Sequence, residues 1–279
     1  MTPTVDAHLH LWDPSTLAPP WLADVPALHG RFDLERYRRE GGTAEAIVVV
    51  EADVAVADRI REAKVLAASG SAGARCAVIA GLGPGEPSFT AELGHAVQSK
   101  AIPGGRRVLH GGPFRATEAF IADLGTMAAA DRSFDFCVRC GDLPEVTRCL
   151  RAVPSLQAIV DHLGNPPIRA GWDSAEADAW RRDVRQMAAC PNAFVKWSAM
   201  FENAGRAIDL DTARPWFRWC LDAFGPERMM WGSNWPVCFP NTPLSSWLRL
   251  SERLLDEVDA EARADLMGRT ATAVYRLEK

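Results

Sequence analysis

At 279 residues, with 48% hydrophobic and 24% charged side chains, the chain can hold one large α/β domain or two small ones. Its 31 basic and 36 acidic residues leave a net charge of −5, which excludes the basic footprint of a nucleic-acid binder. No run reaches the roughly 18 apolar residues of a membrane span, and seven scattered cysteines do not make a disulfide framework. The opening MTPTVDAHLH lacks a basic region followed by an apolar run, so a cytoplasmic protein is expected.

In chain order, strand-like runs fall at Thr4–His10, Ala44–Glu51, Arg75–Leu82, Gly105–His110, Phe134–Arg139, Leu156–His162, Ala193–Ser198 and Arg228–Ser233. Helix-competent segments follow most of them. They are Asp33–Glu40, Val54–Ser69, Ser88–Ser99, Thr117–Ala130, Leu143–Ala152, Ser174–Ala189, Asp209–Phe224 and Leu244–Glu257, and Ala260–Arg276 closes the chain. Strand–helix alternation makes the strands parallel, because each crossover needs a helix to return the chain. Runs such as Ile47–Val50 are apolar on both faces, as buried parallel strands are. An open doubly wound sheet would show a Gly-rich phosphate turn after its first strand, and here no glycine precedes Gly30. The expectation is one domain over residues 1–279, a closed (β/α)₈ TIM barrel.

Active sites of such barrels lie at the carboxyl ends of the strands. The polar residues there are His8 and His10, Glu51, the Arg106–His110 stretch, Arg139, His162, Lys196 and Asn234. Residues i and i+2 of a strand share a face, so His8 and His10 project into one space, where two imidazoles hold a metal ion or position a carbonyl and a water. Asp6 continues that face and is expected to steady them from below. Asp161 alternates away from His162 and reads as structural. Glu51 reads as the cap of the following helix. Cys137 and Cys140 form a CxxC without a second CxxC, and core packing is the better reading. Arg139 reads equally as a substrate contact and as a surface ion pair.

DAHLHLWDP near the start, VDHLGNPPI at strand six, MMWGSNWPVC at strand eight and the ending GRTATAVYRL together resemble the amidohydrolase superfamily. Within it they are most similar to the amidohydrolase-2 branch of sugar-lactone and pyrone-dicarboxylate lactonases. The resemblance spans the whole chain and implies a lactone hydrolase using water as nucleophile. It implies catalytic roles for His8, His10, His162 and Asn234, and substrate contacts for Arg106 or Arg107 and for Lys196; Arg139 and Trp235, also at strand ends, are further candidates for substrate contact. Strand five (FDFCVRC) lacks the histidine of fully metallated members. No cofactor is therefore required, and a single zinc ion, if bound, would sit on His8, His10 and His162.

Asn234 departs from the family pattern, GSNWP standing for GSDWP. An amide orients water but accepts no proton near neutral pH, which costs on the order of 10²–10⁴-fold in rate. Turnover is thus in question on the sequence, and Asn234→Asp is expected to raise kcat. Three explanations stand open: an engineered Asp-to-Asn variant, a base moved to His162 or another strand end, and a silent sugar-acid binding protein on the same barrel. Metal-dependent decarboxylation of an aromatic acid is the third reaction class. The grouped basic residues favour a sugar-acid lactone as the small-molecule partner, with neither nucleic acid nor membrane; the lactone's identity and the oligomeric state are not encoded legibly.

Overall fold

Eight parallel strands pair in sequence order in a computed structural model that describes residues 4–69, 75–238, 240 and 242–277. The strands are β1 (Val5–Leu9), β2 (Ala46–Val50), β3 (Arg75–Gly81), β4 (Gly104–Val108), β5 (Ser133–Cys137), β6 (Ala158–Val160), β7 (Ala193–Trp197) and β8 (Met229–Trp231). Each expected strand is present, trimmed where its polar tip leaves the ladder. The leader reading at Met1–Pro3 lies outside the described residues.

The helices are α1 (Leu34–Arg39), α2 (Arg59–Ser69), α3 (Phe89–Ala96), α4 (Glu118–Ala129), α5 (Leu143–Ala152) and α6 (Ala175–Ala188), then α7 (Met200–Ala204), α8 (Leu210–Phe224), α9 (Leu244–Leu255), α10 (Ala260–Ala264) and α11 (Thr270–Tyr275). Asp33, Thr117, Ser174 and Asp209 cap four of them, each accepting a backbone N–H three residues on. The expected closing helix is two, α10 and α11, joined by a π-turn over Asp265–Arg269. α7 has no counterpart in the strand–helix alternation. Among the described residues no helix is long and apolar enough to cross a membrane.

Strand alternation builds two cores. Val5, Ala7, Val48, Val50, Ile79, Ile159 and Met230 fill the barrel and meet Val274 and Tyr275 of α11. Their neighbours Ile47, Val49, Val78 and Val160 face the helices, with Trp180, Trp216 and Trp247 among them. Seven of the ten tryptophans are buried, so these rings serve mainly as core.

The barrel joins its ends irregularly. Asn234 donates its backbone N–H to the His8 carbonyl at 2.8 Å, and His10 donates to the Trp235 carbonyl at 2.7 Å. Gly232 permits this approach, because a Cβ there would stand 2.7 Å from His8 Cβ and 3.1 Å from the His8 backbone nitrogen. Gly232→Ala should therefore strain the β1–β8 seam and lower stability by roughly 1–3 kcal/mol. Urea unfolding checks this; an unchanged midpoint would show that the seam yields freely.

Candidate active site

A cavity of about 390 Å³ opens among the carboxyl ends of the strands, lined by His10, Arg106, His162 and Asn234, with His110, Asn165 and Glu202 around them. His8 on β1 and His10 just past its end follow a break in register between Asp6 and Leu9; His10 lines the cavity and His8 is buried behind it. Below the break Asp6 turns towards α1: its Oδ2 accepts from Tyr37 Oη (2.9 Å), and its Oδ1 accepts the backbone N–H groups of Ser233 (2.9 Å) and His8 (3.2 Å). Asp6 thus holds the backbone of the seam, not the imidazole rings, because the break ends the shared face.

The tautomers follow from one carbonyl. His10 Nδ1 lies 3.0 Å from the Val50 oxygen, which can only accept, so Nδ1 carries the proton. The neutral ring then presents a lone pair at Nε2, and the 3.2 Å contact makes His8 Nε2 the donor to it. His8 Nδ1 is left to accept from Lys196 Nζ, also at 3.2 Å. Burial, with the Arg106 charge behind it, pushes the His10 imidazole down to about 3. Burial likewise takes His8 well below its ordinary value.

Asp161 and His162 both enter the interior, correcting the expectation that Asp161 turns away. β6 ends at Val160, and the chain then turns with His162 at φ 59° and Leu163 at φ 55°, so strand alternation no longer applies. The His162 ring lies 4.6 Å from that of His8, and its Nδ1 is 2.8 Å from Ser198 Oγ. Burial lowers it to about 4, with Arg106 and Lys196 adding to the effect against the pull of Asp161. Asp161 Oδ1 stands 3.2 Å from both His8 Nδ1 and Lys196 Nζ, and Oδ2 stands 3.5 Å from Arg106 Nη1. Burial raises its carboxyl, but the Lys196 charge outweighs this and holds it well below the carboxylate range.

The expected substrate contacts divide. Arg106 lines the cavity, clamped by Glu51: its Nε donates to Glu51 Oε1 at 2.6 Å and its Nη2 to the Glu51 carbonyl at 2.8 Å. Glu51 is thus an arginine clamp, not a helix cap. Lys196 lies beneath the cavity with no exposure, 2.5 Å from Asp135 Oδ2; the two buried acids draw it inward, away from substrate. Arg107 alternates to the outside and pairs with Glu86. Arg139 is an exposed partner of Asp142. Trp235 is fully buried, with Nε1 donating to Glu40 Oε2 at 2.7 Å, and packs on Phe32 and Tyr37 behind the site. All seven cysteines are free.

His8, Asp161 and His162 offer three ligand atoms within 4.8 Å of one another, a potential metal site. Both Asp161 oxygens are buried without a hydrogen bond of good geometry, which is the orphaned acceptor that a cation would satisfy. The donor set of two imidazoles and a carboxylate suits zinc. Asp161 takes the place of His10 in the expected ligand set, because the ligand atoms that converge are those of His8, Asp161 and His162. This group also overturns the doubt about turnover drawn from Asn234: the His8–Asp161–His162 set is complete, and its carboxylate comes from strand six. Glu202, on the unanticipated α7, adds a second carboxylate, with Oε1 accepting from Asn234 Nδ2 at 2.8 Å. A short Met-Phe-Glu-Asn-Ala segment carries no periodicity that would have revealed it.

The profile of the amidohydrolase-2 family matches residues 5–277. An L-fucono-1,5-lactonase of Burkholderia ambifaria is 33% identical over 162 residues, 56% of this chain and 54% of that protein. An L-rhamnono-gamma-lactonase of Scheffersomyces stipitis is 29% identical over 149 residues, 48% and 44% of the two chains. The chain thus spans about half the length of the curated relatives it matches. An amidohydrolase of Burkholderia multivorans with bound HEPES is similar over 99% of both chains, at 25% identity and a TM-score of 0.87. A second crystal form of an amidohydrolase from that organism, with bound zinc, gives 23% identity and 0.84, again over 99% of both chains.

The imidazole states are measurable directly. In chelator-treated protein at about pH 6, ¹⁵N spectra should show neutral His8 protonated on Nε2 and neutral His10 protonated on Nδ1, although a free imidazole is largely charged there. Titration of His10 at its ordinary value, instead of near 3, would show that the Val50 contact does not set the proton.

Proposed function

The chain belongs to the amidohydrolase-2 family, and on that footing we propose that its cavity opens the ring of a sugar-acid lactone by adding water to the ester carbonyl. The observation that carries the reading is the polar inventory of the cavity wall. It combines imidazoles (His10, His110, His162), amides (Asn165, Asn203, Asn234), two carboxylates (Asp53, Glu202) and a single guanidinium, Arg106. Imidazole and amide groups supply both donors and acceptors, which suits a ring bearing several hydroxyls. A pyrone dicarboxylate would need several arginine forks, and Arg107 and Arg139 are engaged elsewhere. The two lactonase relatives support the same substrate class.

Arg106 is held rigid by Glu51 and keeps Nη1 towards the interior, where it would stabilise charge developing on the carbonyl oxygen. His10 and His162 are neutral, so they hydrogen-bond water and substrate without contributing a competing charge. The zinc of the Burkholderia multivorans relative is extended here to His8, Asp161 and His162. A bound zinc ion would polarise the carbonyl and lower the pKa of water.

A panel of aldonolactones followed by acid release tests the reaction. Turnover of sugar lactones at a kcat/KM at least about tenfold above that for unsubstituted lactones is expected, since the loss of several polar contacts costs at least that factor. Hydrolysis of amides with no lactone turned over would overturn the substrate class. Zinc added to chelator-treated protein should bind at one equivalent, and Asp161→Asn should weaken it by at least about tenfold. Equal zinc affinity in that variant would remove Asp161 from the ligand set.

A further inference from the structure

α7 crosses the cavity instead of returning along the outside of the barrel. After β7 the chain turns at Ala199, with φ 56°, and Ala199, Glu202 and Asn203 all line the cavity. Glu202 is half-buried there. Among the described residues its carboxylate has one hydrogen-bond partner, Asn234 Nδ2, and no cationic side chain within ion-pair distance. Among the described residues three other acids near this end are already paired, Glu51 with Arg106 and both Asp135 and Asp161 with Lys196, while Asp53 stands exposed on the far side of the cavity.

We propose that Glu202 is the proton acceptor for the attacking water, held in place by Asn234. The inference rests on the lactonase reading and deepens it. The water O–H bond breaks, its oxygen bonds to the carbonyl carbon, and its proton passes to Glu202. The carbonyl electron pair moves to oxygen, returns as the ring C–O bond breaks, and the proton on Glu202 passes to the departing alkoxide. One water is consumed, and Glu202 ends as a carboxylate.

The neighbouring groups favour this division of labour. Burial pushes the Glu202 carboxyl up to about 7, and the Asn234 hydrogen bond opposes this only in part. A base is most effective near the working pH, whereas His162 at about 4 and His10 at about 3 are weak acceptors at neutrality. Cys238, close enough to feel the Glu202 charge, is a thiol held protonated by burial. Across the cavity stand Asp53, Arg106, His10, His110 and His162. Asn234 donates to the carboxylate without adding charge. An aspartate in its place would set two acids 2.8 Å apart, and one would have to stay protonated.

The test combines kinetics with ¹³C titration of glutamate-labelled protein. Glu202→Gln keeps the shape and an oxygen for Asn234, and should lower kcat on the order of 10²–10⁴-fold with little change in KM. The acid limb of the kcat/KM profile, near pH 7, should vanish with it. Asn234→Asp should lower activity at neutral pH, reversing the expectation drawn from the sequence. Among the described residues two glutamates should titrate high in the wild type: Glu62 near 8, which should persist in the variant, and Glu202 near 7, which should not. Absence of lactone turnover by the wild type would sink the lactone reading. Wild-type kcat in Glu202→Gln, or a rise in KM alone, would overturn the proton-acceptor role while leaving that reading standing. A Glu202 that titrates at an ordinary glutamate value, about 4.3, overturns it whatever the substrate.

Discussion

The ammonium of Lys196 is completely buried in the barrel, and the site is assembled around it. From below, Tyr275 of α11 donates to Asp135 Oδ2 at 2.8 Å, the oxygen that also meets Lys196. From above, Lys196 reaches Asp161 and the lone pair of His8. Removing one member of such a buried set costs about 3–5 kcal/mol, because the remaining charge has no solvent to fall back on. The last helix of the chain and the imidazoles at the mouth are thereby coupled through one cation. Burial pushes the Asp135 carboxyl up to about 6, against Lys196, so the layer is held by mutual attraction at the expense of hydration. Lys196 tunes His8 through a hydrogen bond, which makes it a positioning residue.

Above this charged layer lies a neutral one, and the boundary between them is set by backbone conformation. Asp53, His162, Asn165, Ala199 and Asn234 all take left-handed φ values, and all line the cavity. For residues other than glycine this costs on the order of 1 kcal/mol each, least for asparagine and aspartate. Each such residue breaks the regular continuation of the chain beyond its strand and is itself part of the cavity wall. The strain is concentrated where the polar groups converge, and the apolar strands beneath supply the rigidity that sustains it.

The fold was legible because its signals are periodic. Eight apolar runs, capped helices at Asp33, Thr117, Ser174 and Asp209, and polar tips at the strand ends all follow from alternation and hydrogen-bond demand. His8, His10, His162, Arg106 and Asn234 were placed by the same logic. The misplacements occur where periodicity lapses. Asp161 follows the last residue of β6, so its face is set by a left-handed turn; Asp6 is separated from His10 by a break in register. Lys196 and Trp235 do stand at strand ends, but burial among partners distant in sequence decides what they touch. Glu202 sits on a five-residue helix that no pattern announces.

The pairing of positions 202 and 234 shows why a single departure from a family pattern is a poor guide to activity. An amide at 234 amounts to a missing proton acceptor only if the acid has to come from that strand. In the barrel, β7 and β8 are neighbours, and a helix returning across the mouth from β7 brings its side chains to the end of β8. A donating amide beside a carboxylate is stable at any protonation state of the acid, whereas two carboxylates at that separation compete for one proton. The residue acceptable at 234 therefore depends on the residue at 202. With glutamate at 202, asparagine at 234 complements the carboxylate and leaves one acid at this end of the cavity.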